Sequence, residues 1–424
     1  MKILLINDSS SNPNWGDRAA AIALKKMLSK IGGQIIKAVT ETDLYLSRFN
    51  NSDHNVAEHK THKSIINAAK KFIPPLIIDI KQFISRAINN RSIIPNIWSQ
   101  FEVYAELIIK NSEFTANMHR IISDADVVVI HGDGCMTGNN LIPRTQLFLT
   151  YVIKKYYSKP VIMINHTADF SHPILREIAV KVYPLFDDVV FRDNISLANC
   201  QDICSGRFAA DTAFIFEPMP LSKLITVTRR DTYYDCWPDT ANIDLEKPYI
   251  CIGGSAAYPY IKGYDPIKSF YELIVYLQNT YNGQIVLTVS DGRDQDIFRP
   301  IAAHLNLPII GLVTPVQQAV DIVGNADAYI GGRWHPSIFA LRGGTPIIPI
   351  SSNTFKMNAI VEMSGLSVEI FSATNLSHDK ELIGQKLIDY LDDGKNLRNR
   401  LRKWADVTAD TAWDNLSYLM TKQQ

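Results

Sequence analysis

The chain has few cysteines, no excess of either charge and no long apolar run. Its five cysteines are scattered and odd in number, which favours reduced thiols in the cytoplasm over a disulfide framework. Cys200 and Cys204 can share a helix face, but they have no histidine nearby, so we expect no metal site there. Basic and acidic residues both number 43, which argues against a chain-wide nucleic-acid surface. No run approaches the roughly 18 apolar residues of a membrane-spanning helix.

What the chain does contain is a regular alternation of strand-like and helix-like segments. Residues 2–7 form a short aliphatic run, residues 18–31 place apolar side chains at helical spacing, and residues 34–40 return to a strand pattern. This order begins a parallel, doubly wound α/β sheet. Because no small-residue cleavage site follows the first apolar run, we interpret that run as a strand and not as a signal peptide.

The alternation occurs twice, which predicts two domains. Residues 1–225 hold the first set and residues 248–400 the second, and residues 226–247 between them lack a clean period and indicate a linker. We therefore expect two Rossmann-like domains that face each other across a cleft. A C-terminal helix, residues 401–424, is predicted to pack across both domains.

The polar segment 41–123 predicts a helical insertion in the first domain. Within it, residues 76–88 carry apolar side chains with basic residues between them. A helix packed on its own domain explains this pattern, and a helix lying on the inner face of a membrane is the alternative.

In open α/β sheets, ligands bind where strands end and loops lead into helices. The first such loop, "NPNWGD", contains Gly16, where the backbone can approach a ligand, and Asp17, which is either a helix cap or a carboxylate facing the cleft. The second, "HGDG", sets His131 and Asp133 between glycines. A turn with positive φ explains the glycines but does not require the acid or the imidazole, so we favour a functional role for both.

Two further strand ends carry arginines. In "FRDNIS", Arg192 is either functional or an exposed partner of Asp193. In "IGGRWHPSIF", Arg333 and His335 follow two glycines, and Pro336 suits the first turn of a helix. A helix start with an arginine beside it predicts a site for a carboxylate or phosphate, and a histidine there can donate a proton.

These segments occur in a recognisable order: "NWGD", "DADVVVIHGDG", "VVFRDNIS", "ADTAF" and "ADAYIGGRWHPSIFALRGGTPIIPI", with Lys356 shortly after. In this order the chain, over about residues 1–366, resembles the polysaccharide pyruvyl transferase family. The resemblance implies a two-domain fold similar to GT-B glycosyltransferases. It also implies transfer of the enolpyruvyl group of phosphoenolpyruvate to two hydroxyls of one sugar, which forms a ketal. The expected protein is a cytoplasmic enzyme of cell-surface polysaccharide synthesis, with a free or lipid-linked acceptor and no cofactor.

The resemblance implies roles for individual residues. Arg333 and His335 match the family's Arg-x-His signature, which binds phosphoenolpyruvate, and Arg192 matches a second anion-binding arginine. His335 is then the candidate general acid, with Asp17 or Asp133 as the base. The expected substrate-binding residues are Arg192, Arg333, Lys356, Gly16, His131 and Trp334.

Three questions remain open at the level of sequence. Trp334 replaces a small aliphatic residue of the family, and it either stacks on a sugar or fills the domain interface. A glycosyltransferase that uses a nucleotide sugar is the alternative function, with Arg333 and Lys356 on the diphosphate and Glu362 or Glu369 on the ribose. A saccharide-binding protein without catalytic activity is a third possibility, because fold does not fix function.

Overall fold

The computed structural model describes residues 1–40, 93–110, 112–228 and 243–422. These residues form two parallel sheets with helices on their faces, which confirms the predicted pair of Rossmann-like domains. The strands of the first sheet are β1 (Lys2–Asp8), β2 (Gln34–Thr40), β3 (Val127–Thr137), β4 (Val161–Asp169), β5 (Asp188–Phe191) and β6 (Arg207–Phe208). The strands of the second are β7 (Tyr249–Ser255), β8 (Gln284–Thr288), β9 (Ile309–Ile310), β10 (Tyr329–Gly332) and β11 (Ile347–Pro349).

Helices cover both sheets. Those that accompany the first sheet are α1 (Trp15–Lys30), α2 (Phe101–Lys110), α3 (Ser112–Asp124), α4 (Leu141–Tyr157), α5 (Pro173–Val182), α6 (Asn194–Asn199) and α7 (Leu221–Thr228). Those that follow are α8 (Pro266–Thr280), α9 (Gly292–Leu305), α10 (Val316–Gly324), α11 (Trp334–Arg342), α12 (Lys356–Ser364), α13 (Leu376–Thr411) and α14 (Ser417–Thr421). In the described part of the chain, no helix is both long and apolar enough to cross a membrane.

The strand order fixes where each domain can bind a ligand. The first sheet has the order β2-β1-β3-β4-β5-β6, and the second has the order β11-β10-β7-β8-β9. In the first sheet the chain goes to one side of β1 for β2 and to the other side for β3. The same reversal separates β7 from β10 in the second sheet. Such switch points leave a crevice at the carboxyl ends of the strands.

Local sequence explains how the first unit forms. Apart from its exposed first residue, β1 is buried throughout, as its aliphatic run requires. Helix α1 begins after Asn14, whose side chain accepts hydrogen bonds from the backbone N–H groups of Gly16 and Asp17. Ala19, Ala20 and Ala23 lie on its buried face and let the helix pack closely. Asn14 is thus the cap of this helix, and the side chain of Asp17 is not needed for that role.

The predicted insertion, residues 41–123, is in part a regular layer of the domain. Residues 41–92, which include the proposed membrane-surface helix 76–88, lie outside the described residues. The remainder contains α2 and most of α3, and Phe101 of α2 packs edge-on against Phe148 of α4 at 5.2 Å between ring centroids. These helices lead into β3 and cover the sheet, so they are the crossover between strands that a parallel sheet needs.

The C-terminal helix crosses both domains, as predicted, but it begins earlier than residue 401. Gly394, with φ of 50°, interrupts the long helix α13, and a second helical stretch continues from it to Thr411. Farther on, Leu416 and Leu419 are buried in the core of the first domain. Asn415 accepts a hydrogen bond from the backbone N–H of Asn165, which fixes this segment to the first sheet.

Candidate active site

The start of α1 holds the two domains together at the carboxyl ends of their strands. The indole N–H of Trp15 donates to the carbonyl oxygens of Gly311 and Leu312, both at 3.2 Å, and the backbone N–H of Trp15 donates to Ser290 O. Asn14 Nδ2 donates to Asp291 at 3.0 Å. The side chain of Trp15 is fully buried in the apolar cluster of the second domain. The cleft is therefore closed at this end.

The three residues predicted to be catalytic meet in this cleft. Each of Asp17, Asp133 and His335 offers a carboxylate oxygen or ring nitrogen, and these atoms all lie within 4.8 Å of one another. His335 is the second residue of α11 and is only 6% exposed. A Cβ at Gly16 would lie 2.0 Å from His335 Nδ1, so a residue without a side chain is required there. The site thus draws on both domains.

Asp133 occupies an unusual backbone conformation. Its φ is 47°, in the left-handed region, while Gly132 and Gly134 beside it do not have positive φ. The prediction that "HGDG" is a turn whose glycines need positive φ is therefore wrong, since β3 continues through this segment to Thr137 with an irregular register against β4. Gly132 is needed for packing instead, because a Cβ there would lie 2.4 Å from His166 Cβ.

Arg192 lies at the centre of the charged network. It is 1% exposed, and its Nη1 donates to Asp133 Oδ1 at 2.5 Å and to Asp211 Oδ2 at 2.9 Å. Its Nε donates to Thr167 Oγ1 at 2.9 Å. The alternative of an exposed arginine paired with Asp193 is wrong, since Asp193 instead caps α6 by accepting from Ser196 N at 2.7 Å.

Asp211 is a site residue that the sequence interpretation did not select. It is fully buried, and it accepts hydrogen bonds from Arg192, from Trp334 Nε1 at 2.9 Å and from Ala213 N at 2.8 Å. Burial alone would raise its pKa, but the charges of His335 and Arg192 outweigh burial and hold the pKa of Asp211 well below its usual value. The sequence signal that could have identified Asp211 is its place in "ADTAF". There it also caps the short 3-10 helix Thr212–Ile215.

The imidazole of His335 faces two of these carboxylates. Its Nε2 lies 3.4 Å from Asp211 Oδ2 and 3.9 Å from Asp133 Oδ1. Neither contact has hydrogen-bond geometry, and in the described residues this buried nitrogen has no hydrogen-bond partner. Burial would raise the pKa of Asp133, but Arg192 and His335 outweigh it and lower that pKa to about 2, so the carboxylate is ionised. Nε2 is therefore a free polar atom in an acidic surrounding.

Lys356 adds an ammonium group that has no hydrogen-bond partner within the described residues. It begins α12 and is half-buried, and within the described residues its ammonium makes no ion pair or hydrogen bond. A Cβ at Gly134 would lie 2.8 Å from Lys356 Nζ and 3.4 Å from Arg192 Nη2, so both groups border this glycine. Burial and the neighbouring charge of Arg192 lower the pKa of Lys356. An anion placed beside Gly134 reaches both donors.

Arg333 has its ion-pair partners within the second domain. Its Nη2 lies 2.7 Å from Asp294 Oδ1 and 3.5 Å from Asp291 Oδ1, and its Nε is buried without a hydrogen-bond partner in the described chain. Burial raises the pKa of Asp294, against the charge of Arg333. The carboxylate of Asp294 already pairs with Arg333 and would compete with an anionic ligand. The role of Arg333 in binding an anion therefore stays a prediction.

His131 and Trp334 lie around the charged network. His131 is 1% exposed, and its Nε2 is 3.0 Å from Asn165 Nδ2, so it packs beneath the site. Burial lowers its pKa. The indole of Trp334 donates to Asp211 and its ring lies 5.1 Å from the Arg192 guanidinium carbon. Trp334 thus packs in the domain interface, and its stacking on a sugar stays a prediction.

Solved structures with the same architecture include enzymes of nucleotide-sugar chemistry. UDP-GlcNAc 2-epimerase from Neisseria meningitidis bound to UDP-GlcNAc is 13% identical, with a TM-score of 0.54 over 99% of this chain and 100% of that one. Arabidopsis thaliana UGT89C1 in complex with UDP-L-rhamnose is 12% identical, with a TM-score of 0.55 over 99% and 98%. At these identities the likeness establishes the fold alone, a GT-B-like pair of domains, as expected from the sequence.

Sequence comparison identifies the family. The model of the family described as polysaccharide pyruvyl transferase matches residues 14–354, which is more than half of the chain. The matched region includes Asp17, Asp133, Arg192 and His335 and ends two residues before Lys356. A search of curated protein sequences found no match.

Proposed function

Because the chain belongs to the polysaccharide pyruvyl transferase family, we propose that it transfers the pyruvyl group of phosphoenolpyruvate to a sugar of a cell-surface polysaccharide or its precursor. The product is a cyclic ketal on two hydroxyls of that sugar. The observation that carries this proposal is the pair of unused cationic donors, Arg192 Nη2 and Lys356 Nζ, beside Gly134 and next to His335. Phosphoenolpyruvate is a cytoplasmic metabolite, so we place the reaction in the cytoplasm, with a free or lipid-linked acceptor.

The donor site follows from the charges. Phosphoenolpyruvate carries a phosphate and a carboxylate, and each forms strong, charge-assisted hydrogen bonds with guanidinium and ammonium groups. Arg192 uses Nη1 and Nε within the protein and keeps Nη2 for a ligand. Lys356 has no other partner in the described chain. An anion held by these two groups lies at the edge of the triangle formed by Asp17, Asp133 and His335.

The chemistry requires an acid first and a base second. His335 Nε2 gives a proton to the methylene carbon of phosphoenolpyruvate, which leaves an oxocarbenium-like centre at C2. A sugar hydroxyl adds to C2 and gives its proton to Asp17 or Asp133. The C2–O bond to phosphate then breaks, and phosphate leaves with the bonding pair. The neighbouring hydroxyl attacks C2, gives its proton to His335 Nε2, which restores the acid, and closes the ring. No resident cofactor enters these steps.

Asp211 is proposed to position the acid. Its carboxylate is held by Arg192, by the indole of Trp334 and by a backbone N–H, so it cannot rotate freely. Asp211 Oδ2 lies 3.4 Å from His335 Nε2, close enough to orient the imidazole for the first step. Asp211 is therefore a positioning residue, and its proposed effect passes through His335.

The test is thermal stabilisation of the purified chain by phosphoenolpyruvate, compared with a panel of nucleotide sugars. Binding to the native state raises the melting temperature by mass action. We expect a shift with phosphoenolpyruvate, and we expect Lys356→Met to weaken its affinity about 10- to 100-fold, because one charge-assisted contact is lost. Calorimetry measures that affinity directly.

The matched control is Lys247→Met, which removes an exposed lysine that pairs with Asp244 at 3.2 Å. It should bind phosphoenolpyruvate like the native chain. Arg192→Ala is a poorer test, because it strips two buried carboxylates of their partner and threatens folding. A shift with a nucleotide sugar and none with phosphoenolpyruvate overturns the proposal in favour of glycosyl transfer.

A further inference from the structure

The catalytic triangle has the composition of a transition-metal site. Asp17, Asp133 and His335 bring two carboxylates and an imidazole within 4.8 Å of one another, from loops of both domains. A second observation is independent of the acidic residues: His335 Nε2 is buried, has no hydrogen-bond partner in the described chain and faces the carboxylates. We propose that these three residues bind a divalent transition metal such as Zn²⁺, and that the bound metal inhibits transfer. The inhibition rests on the proposed function, whereas the binding does not.

The ligand set and its geometry fit zinc. Zinc takes imidazole nitrogen and carboxylate oxygen at about 2.0–2.2 Å, so neighbouring ligand atoms in a tetrahedral site lie roughly 3.4 Å apart. His335 Nε2 and Asp133 Oδ1 are now 3.9 Å apart, so side-chain movements on the order of 1 Å complete the site. Three protein ligands leave a fourth position for water, as in open zinc sites.

Neighbouring residues hold two of the ligands in place. Arg192 donates to Asp133 Oδ1 and so fixes the orientation of that carboxylate. Asn12 Nδ2 donates to Asp17 Oδ2 at 3.2 Å. Hydrogen bonds of this kind orient metal-binding carboxylates and make them better ligands. Gly16 allows the imidazole of His335 to approach, because a Cβ there would collide with the ring.

Charge balance also favours a cation. Three carboxylates, those of Asp17, Asp133 and Asp211, surround His335, while Arg192 and Lys356 supply two positive charges. The negative charges exceed the positive ones by one, so a bound cation removes that excess. The ammonium of Lys356 repels a metal ion but attracts phosphoenolpyruvate, so its removal should have opposite effects on the binding of the two. Removing the ammonium should strengthen metal binding although it weakens phosphoenolpyruvate binding.

Inhibition follows from the chemistry of one nitrogen. The lone pair of Nε2 binds either a proton or a metal ion, and the proposed first step needs the proton. A metal ion on Nε2 therefore removes the general acid. The same ion occupies the carboxylates of Asp17 and Asp133, which are the candidate bases. We expect Zn²⁺ to inhibit turnover at concentrations near its dissociation constant, with recovery when a chelator is added.

Binding is tested by calorimetric titration of the metal-free full chain with zinc chloride alone. We expect one equivalent that weakens at least tenfold in His335→Gln and in Asp17→Asn, and that tightens severalfold in Lys356→Met. The control is His378→Gln, which removes an exposed histidine beside Asp379 and should leave that equivalent unchanged. Zinc binding that is the same in native chain and His335→Gln overturns the site.

The two proposals fail in different ways. The titration contains no substrate, so it decides the metal site whether or not the chain transfers a pyruvyl group. If zinc binds through His335 but phosphoenolpyruvate gives no binding or product, the proposed function fails and the metal site stands. If transfer occurs and saturating zinc leaves its rate unchanged, the inhibitory role is wrong.

Discussion

Asp133 has a left-handed backbone conformation, which is unfavourable for a residue with a Cβ atom. Its φ of 47° is a conformation that costs a residue with a Cβ on the order of 1 kcal/mol, although aspartate tolerates it better than most. Its carboxylate pairs with Arg192 and faces His335. Strain of this kind persists where the surrounding structure demands it, often at functional sites. The left-handed conformation thus favours the functional role predicted for this acid.

Asp133 can be dissected with two substitutions. Asp133→Gly and Asp133→Ala both remove the carboxylate, but only glycine adopts positive φ without strain, so the glycine variant should be more stable by about 1 kcal/mol. Both variants should bind phosphoenolpyruvate severalfold more tightly, because a carboxylate that competes for Arg192 is gone, while turnover falls. Urea denaturation and calorimetry measure the two effects.

Either of two results contradicts this account. Equal stability of the two variants argues against the left-handed conformation. Weaker donor binding in both would mean that Asp133 assists the donor and does not compete with it.

Single residues also show which parts of the site the sequence reveals. Asp17, Asp133 and His335 were selected from local signals, because the two acids stand beside glycines and the histidine follows a glycine pair at a predicted helix start. Asp211 was not selected, since an acid before a short helical turn reads as a cap, which it also is. The pairing of Arg333 with Asp294 was invisible because the two residues are 39 positions apart and meet only through the sheet.

At the scale of elements, the site is made by two helix starts that face each other. Helix α1 brings Gly16 and helix α11 brings His335, and the imidazole packs onto the glycine. Periodicity predicted both helices, because amphipathic spacing is a local property. It did not predict that β3 runs on to Thr137, because that extension depends on pairing with β4, in which Asp133 lies opposite His166.

Gly16→Ala tests this helix contact. The added Cβ would lie 2.0 Å from His335 Nδ1, so the imidazole or the helix must move. Displacement of a catalytic group by about 1 Å can cost on the order of 100-fold in rate, and overpacking typically costs about 1–3 kcal/mol of stability. We expect turnover to fall by roughly that factor while the fold survives.

Gly292→Ala is the matched control, since Gly292 is the first residue of α9 and its Cβ would meet only Leu312 at 4.0 Å. Steady-state kinetics and thermal unfolding of the two variants, measured side by side, separate a specific collision from a general intolerance of alanine at helix starts. Native turnover in Gly16→Ala would show that the two helix starts are not in contact during catalysis.

At the scale of the whole molecule, the described residues join the domains by several contacts, and two of these connections have no local sequence signal. One is the C-terminal segment, which runs from α13 to the first sheet and buries Leu416 and Leu419 there. The other is Trp15, which belongs to the first domain by sequence and to the second by packing. The repeated strand–helix rhythm predicted two domains, but neither connection has a periodic signal. Interfaces of this kind form from contacts between residues far apart in the chain.

Trp15→Phe tests whether closure of the cleft serves the reaction. Phenylalanine keeps an aromatic ring in the apolar cluster but cannot donate to Gly311 O and Leu312 O, which leaves two carbonyls without that donor. The loss is about 1 kcal/mol, enough to favour opening of the cleft severalfold. We expect a larger radius of gyration in small-angle scattering and a higher KM for phosphoenolpyruvate. Saturating phosphoenolpyruvate should restore the native radius, because we propose that it binds residues of both domains.

The control is Trp98→Phe, which changes a tryptophan packed against Phe101 in the first domain and should change none of these quantities. An unchanged radius and KM in Trp15→Phe would mean that apolar burial alone keeps the domains closed.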